Sequence, residues 1–200
     1  MIRISLWKCM FCLCIFSCVP TIAIAGPPTE KIKETTEKII RIVSDPTLKG
    51  PEKKTERKSL IRQVIDERFN WEEMARRTLA RHWRQRTEEE RKEFVDLYGK
   101  LLERTYLDKV EGYSGEKVVY EGDQIDGDYA SVLVKIFTQQ QTEIPTEYRV
   151  KRKGDDWLVY DISIEGVSLI NNYRSQFNSI IVKSSYKDLI KKLKKKVEPK

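Results

Sequence analysis

Tyr129-Ala130-Ser131-Val132-Leu133-Val134-Lys135-Ile136-Phe137 sets Ala130, Val132, Val134 and Ile136 on one face. That two-residue period is the mark of a half-buried β-strand. The next segment, Thr142 to Lys151, repeats it with Ile144, Thr146, Tyr148 and Val150, and Trp157 to Glu165 does so again, while Glu116 to Glu121 precedes them as a shorter run. Gly122, Asp126-Gly127 and Gly154-Asp155 punctuate the runs, so the spacing predicts four antiparallel strands joined by turns. Pro145 cannot donate to a ladder and suggests an edge or bulge at the start of the third strand. In the last run, strict alternation puts Leu158, Tyr160, Ile162 and Ile164 opposite Trp157, Val159 and Asp161. The all-apolar side is then expected inward, with Asp161 turned outward or toward a helix.

Working outward, the period before Gly112 is helical. Gly26-Pro27-Pro28 reads as a non-helical leader, and Ile32, Ile39, Ile40 and Val43 then mark an amphipathic helix from Thr29 to Ser44. Asp45-Pro46 ends it and Lys49-Gly50-Pro51 continues the turn. A second helix is expected from Glu52 to Arg68, with Leu60, Ile61, Val64 and Ile65 on its buried stripe. Asn70 with Glu73, and Thr87 with Glu90, have capping-box spacing and open a short helix to Trp83 and a longer one carrying Phe94, Leu97, Tyr98, Leu101, Leu102 and Tyr106. After the strands, Ser168 to Ser179 and Tyr186 to Lys196 return to helix. Helices first and a meander later is the α+β class, a curved antiparallel sheet of about four strands with helices on one face.

The chain has 200 residues and a formal charge of +7. Its first 25 residues hold all four cysteines (Cys9, Cys12, Cys14, Cys18) and no acid. Arg3 and Lys8, the apolar stretch Met10 to Val19, and Ala23-Ile24-Ala25 read as a signal peptide with a small-x-small cleavage site. The stretch is shorter than the roughly 20 residues of a permanent span, and Pro20 interrupts it. Ile15-Phe16-Ser17-Cys18 offers the alternative of a lipoprotein acylated at Cys18, although bulky Phe16 departs from a lipobox. Residues 26–200 have no cysteine, and 36 basic against 31 acidic side chains. A disulfide scaffold, a cysteine-ligated zinc site and a thiol nucleophile are thereby excluded from that part. Residues 183–200 carry eight lysines and two acids, so the rest of 26–200 sums to about −1. This tail reads as a solvated lysine face on a helix anchored by Leu189, Ile190 and Leu193, or as a contact for lipid headgroups or an acidic protein. A secreted chain gives no reason to expect nucleic acid.

Catalytic patterns are nearly absent. His82, the one histidine, sits among arginines, and its lack of partner histidines removes metal spacing. Ser168 in Glu165-Gly166-Val167-Ser168-Leu169 lacks the second glycine of a nucleophile elbow and reads as a helix N-cap. Asp155-Asp156 and Asp126 with Asp128 fall in turns, where acids are common for backbone reasons. Asp161, facing away from the apolar side, is a poor catalytic group. The strands instead offer a broad apolar face with phenols and no charge, and pattern alone cannot separate a filled core from a cavity for acyl chains.

Three segments add a resemblance: Phe69-Asn70-Trp71-Glu72-Glu73-Met74-Ala75 with Leu79-Ala80-Arg81-His82-Trp83; Thr87 to Tyr106; and Trp157-Leu158-Val159-Tyr160-Asp161 running into Glu165 to Phe177. In that order, with Tyr186-Lys187-Asp188-Leu189-Ile190, they resemble the MlaC/toluene-tolerance family over nearly all of 26–200. Asn70 stands where that family usually has aspartate, and Ala80 where it commonly has glycine, a change expected to matter little if the backbone there is helical. The resemblance implies a cystatin/NTF2-like curved sheet wrapped by helices around a lipid cavity. It implies a monomeric, non-enzymatic periplasmic phospholipid carrier of a lipid-asymmetry system, with phospholipid as cargo and no cofactor or metal. Its partners would be an outer-membrane lipoprotein–porin complex and an inner-membrane ABC transporter with an MCE-domain ring. On this reading Val132, Val134, Ile136, Tyr148, Val150, Tyr160 and Ile162 line the cavity from the strands. Leu97, Leu101, Val167, Leu169, Tyr173 and Phe177 line it from the helices, with Arg174 a candidate for the mouth and Trp83 and Trp157 structural. A cone-fold isomerase or hydratase and a solid-core periplasmic adaptor are the competing readings.

Overall fold

The structure, a computed structural model, describes residues 27–198; the segment read as a signal peptide, Cys18 and Gly26 lie outside them. Helix α1 (Pro27–Ser44) starts on the two prolines expected to precede it. The first turn of a helix has no use for its N–H groups, so proline is tolerated there. Asp45 ends it by accepting from Thr47 N at 2.8 Å, and two 3-10 turns lead into α2 (Lys54–Arg68). Asn70 caps α3 (Trp71–Leu79) through Glu73 N at 3.1 Å. Only half of that capping box forms, because Asn70 N already donates to Val159 O at 2.8 Å and the Glu73 carboxylate turns to Arg76 and Arg77. The Thr87–Glu90 box is complete and opens α4 (Glu88–Glu111).

Between α3 and α4 the helix expected to run to Trp83 breaks into a 3-10 segment, Ala80–Gln85. The break is at Ala80, whose φ of 49° and ψ of −119° lie in a region suited to glycine. The backbone is therefore not helical at this position, so an alanine here, unlike a glycine, is strained.

The sheet is an antiparallel meander of β1 (Lys117–Asp126), β2 (Tyr129–Phe137), β3 (Glu143–Lys153), β4 (Asp156–Ile164) and β5 (Val167–Ser168), in that spatial order. β5 is one strand more than expected, two residues long. The register sets Ala130 opposite Val150, Val132 opposite Tyr148, Val134 opposite Thr146 and Ile136 opposite Ile144, so the two apolar faces read from the sequence are one surface. Pro145 is not on an edge strand, since β3 lies between β2 and β4. It sits just past the last β3–β4 pair, Thr146 with Ile164, where its carbonyl accepts from Glu165 N at 2.8 Å and the missing donor breaks no rung.

β4 departs from strict alternation. Arg149 pairs with Asp161 but the adjacent Val150 pairs with Val159, leaving Tyr160 as an extra residue. Such a bulge reverses the faces on either side of it. Trp157 and Val159 therefore join the buried cluster with Ile32, Ala130, Val132, Val134 and Val150, with Ile162 packed against it. Tyr160 goes to the opposite side, under the Arg77 guanidinium at 4.0 Å from the ring centroid. Asp161 is only 3% exposed and faces helix α5 (Leu169–Lys183). There it accepts from Ser168 Oγ at 2.6 Å and Ile170 N at 3.1 Å, and Ser168 Oγ in turn caps Asn171 N at 3.1 Å.

A second apolar cluster forms among α3, α4, α5 and the last helix, α6 (Tyr186–Val197). Phe94, Tyr98, Tyr173 and Phe177 stack at its centre with Met74, Leu97, Leu101, Leu189 and Leu193. Among the described residues no helix is long and apolar enough to cross a membrane.

Replacing Ala80 with glycine should relieve the strained backbone, the unfolded-state entropy of glycine offsetting only part of the gain. Thermal melts of A80G are expected to show stabilisation by about 1 kcal/mol, a rise of roughly 3 °C in Tm; an unchanged or lower Tm would mean that Ala80 carries no strain.

Candidate functional site

The two clusters do not meet everywhere. Between them lies a cavity of about 570 Å³. The sheet supplies its floor through Val118, Ile136, Ile144, Tyr148, Ile162 and Ile164, and the second half of α1 supplies Ile39, Ile40 and Val43. Ile65 of α2 and Leu102, Tyr106, Leu107 and Val110 of α4 complete the wall. At the inner end lie Ile32, Met74 and Val159, all buried, and at the other end Tyr113, Glu116, Thr138 and the exposed Glu165 form a mouth.

The interior is apolar, with Arg68 its one buried charged group; the half-buried Arg62 and the exposed Lys109 also line the wall. Arg68 is 6% exposed and lines the inner wall. Its Nε donates to Thr35 Oγ1 at 3.0 Å, and Nη1 donates to Asp156 Oδ1 at 2.6 Å and Trp157 O at 2.8 Å. This ties α2 to α1 and to the start of β4. Asp156 is thus more than a turn residue: burial pushes its carboxyl up, but Arg68 and the Trp157 N–H outweigh that and hold it below the ordinary aspartate range. Burial pushes the Tyr148 phenol up to about 12 and raises Tyr106, so these hydroxyls stay neutral. The lining carboxylates Glu103, Glu116 and Glu165 are half-exposed or exposed. Glu116 is held below the usual carboxylate range by the Ser114 backbone N–H at 2.8 Å, and Glu103 pairs with Arg62. Among the described residues no cluster of three or more His, Cys, Asp or Glu side chains could hold a metal.

Of the residues expected at the cavity, Ile136, Tyr148, Ile162 and Leu169 are on its wall. Val132, Val134 and Val150 share that sheet face but are packed into the cluster with Ile32. Leu97, Leu101, Tyr173 and Phe177 belong to the helical cluster; the helices bury that stripe against one another. Tyr160 is carried to the other sheet face by the bulge, and Val167 is 57% exposed on the edge strand. Arg174 is not at the mouth: its Nε donates to Arg77 O at 2.9 Å, joining α5 to α3. Trp83 and Trp157 are buried, and His82 Nε2 lies 3.0 Å from Asn178 Oδ1. Ile39, Ile40 and Val43 were legible as an apolar stripe, but nothing in that stripe showed that half of it would face a void.

The open apolar chamber between the sheet and the helices has the room and the lining to accept a hydrophobic molecule. The profile of the MlaC protein family matches residues 33–195. The chain belongs to the MlaC family. It is 23% identical over 141 residues to the intermembrane phospholipid transport system binding protein MlaC of Haemophilus influenzae, spanning 68% of this chain and 66%, just under two thirds, of that protein. Its fold matches that of a phospholipid-binding protein from Ralstonia solanacearum solved in complex with a phospholipid. That match has a TM-score of 0.77 at 24% identity and covers 86% of this chain and 97% of the other.

Because the Asp156 carboxyl is depressed in the folded state, its contribution is present above the ordinary aspartate pKa and is lost as pH falls toward the lower folded value. Melts between pH 5 and about 3 should show Asp156→Asn, less stable than the parent at neutral pH, losing less Tm across that interval; equal losses would remove Asp156 from the acid sensitivity.

Proposed function

We propose that this chain is a periplasmic phospholipid carrier, exchanging lipid between an outer-membrane lipoprotein–porin complex and an inner-membrane ABC transporter with an MCE-domain ring. The observation that carries the reading is the open apolar cavity of about 570 Å³; family membership supports it. So do the two relatives, one a phospholipid transport binding protein and the other seen with a phospholipid. The N-terminal charge and apolar pattern, read as a cleaved signal peptide on residues 1–25, supports export, with 26–200 as the carrier domain.

The energetics suit exchange. Two acyl chains carry about 30 methylenes, so sheltering them is worth on the order of 20 kcal/mol. A bilayer offers nearly the same, and transfer between the two is close to balanced. Such a carrier needs an adaptable greasy wall and a wet mouth for the headgroup, which matches the neutral phenols within and the carboxylates at the rim. The cavity argues against a solid-core adaptor, and the rim placement of its carboxylates argues against acid–base catalysis in its interior.

Native mass spectrometry of detergent-free protein, with lipid extraction, tests this. The parent should carry stoichiometric phospholipid. The double variant I136W/I162W, which fills the chamber from its floor, should keep a Tm within a few degrees and lose at least roughly tenfold of its lipid. A parent that neither carries phospholipid nor takes it up from liposomes would overturn the reading.

A further inference from the structure

Helix α6 presents Lys187, Lys191, Lys192, Lys194, Lys195 and Lys196, all exposed. Among the described residues only Lys194 meets a carboxylate, Glu93 at 2.6 Å. The apolar side of the helix is already committed: Leu189, Ile190 and Leu193 are buried in the helical cluster, so α6 cannot insert into a bilayer without unmaking that core. What it offers is charge without grease. Protein interfaces are built otherwise, on aromatic and arginine anchors, and they are depleted in lysine. A dense set of mobile ammonium groups instead suits a diffuse anionic surface, where each adds long-range attraction and none needs a fitted contact.

The helix is held firmly in place along α4. Tyr186 Oη donates to Glu90 O at 3.0 Å, Lys194 meets Glu93, and Arg104 bonds the Glu198 carbonyl. Helix α6 therefore runs alongside α4 in the same direction, and α4 continues past Arg104 to Tyr106 and Lys109 on the cavity surface. The last turn of α6, with Lys194, Lys195 and Lys196, thus lies toward the end of α4 that reaches the cavity, on the other face of that helix. The contrast in charge is sharp, because residues 183–200 hold eight lysines against two acids while 26–182 sum to about −1.

We propose that the lysine face of α6 is a docking surface for anionic lipid bilayers. This goes beyond the carrier reading, and its test does not depend on cargo.

The full chain, exported and purified, is sedimented with vesicles of phosphatidylcholine alone or with a third phosphatidylglycerol, at about 0.1 M salt. Binding should require the anionic lipid and weaken as salt rises. The triple variant K187Q/K191Q/K195Q should bind roughly a hundredfold more weakly. The triple variant K49Q/K54Q/K153Q removes the same charge from exposed lysines elsewhere and should lose less than about threefold. Thermal melts establish that both variants fold. A parent that ignores anionic vesicles, as it would if these lysines served an acidic protein, overturns the proposal, and so do equal losses in the two variants. Either result leaves the lipid content of the cavity as a separate question, since the cavity-filled variant should still dock.

Discussion

The extra residue in β4 is the constraint on which the rest of the structure depends. With Tyr160 unpaired between Asp161 and Val159, one strand serves two cores. Before the bulge Trp157 and Val159 pack under α1; after it Ile162 and Ile164 floor the cavity. On the reverse side the same bulge points Asp161 at the start of α5, where Ser168 Oγ and Ile170 N bond to its carboxylate. A buried carboxylate is costly unless such donors surround it, so strand, turn and helix are locked into one relative position. Without the bulge, alternation would put Asp161 into the apolar chamber and Ile162 outside it.

That chamber persists because its walls are held from outside. The Arg68 guanidinium ties α1, α2 and β4 together behind its inner end, and the helical cluster fixes α4. An empty apolar void costs roughly 24 cal/mol per Å³, so about 570 Å³, if dry and closed, would cost on the order of 10 kcal/mol. That is comparable to the whole stability of a typical domain. An open mouth lowers the cost by admitting water, and a bound apolar ligand would offset it by contacting the wall. The two flanking cores hold the walls of this under-packed region apart.

Charge is segregated with equal clarity. The one buried charge of the chamber is a cation neutralised at its back, carboxylates with Arg62 and Lys109 lie farther out, and the lysines of the C-terminal tail gather on one helix. Several of the remaining ion pairs, such as Lys100 with Asp96 and Lys38 with Glu34, are exposed i,i+4 contacts on helix surfaces. These are worth little to stability.

How far this was legible in the sequence depends on the range of the physics involved. Periodicity, turn residues and caps are local, and from them the sequence by itself determined the helices apart from the start of α1 and the end of α3, four of the five strands, the Thr87 box, the Ser168 cap and the shared face of β2 and β3. It also carried the three segments by which the family was recognisable. The glycine-type backbone at Ala80 was hidden because its conformation comes from joining α3 to α4, not from its neighbours in sequence. The face of Tyr160 was hidden because one unpaired residue reverses a parity that pattern assumes constant. Whether an apolar stripe meets another stripe or a void was decided only by the tertiary structure. Phe177 and Ile162 are equally apolar, and the one is core and the other cavity wall because burial is a property of what lies opposite, which a single chain segment does not contain.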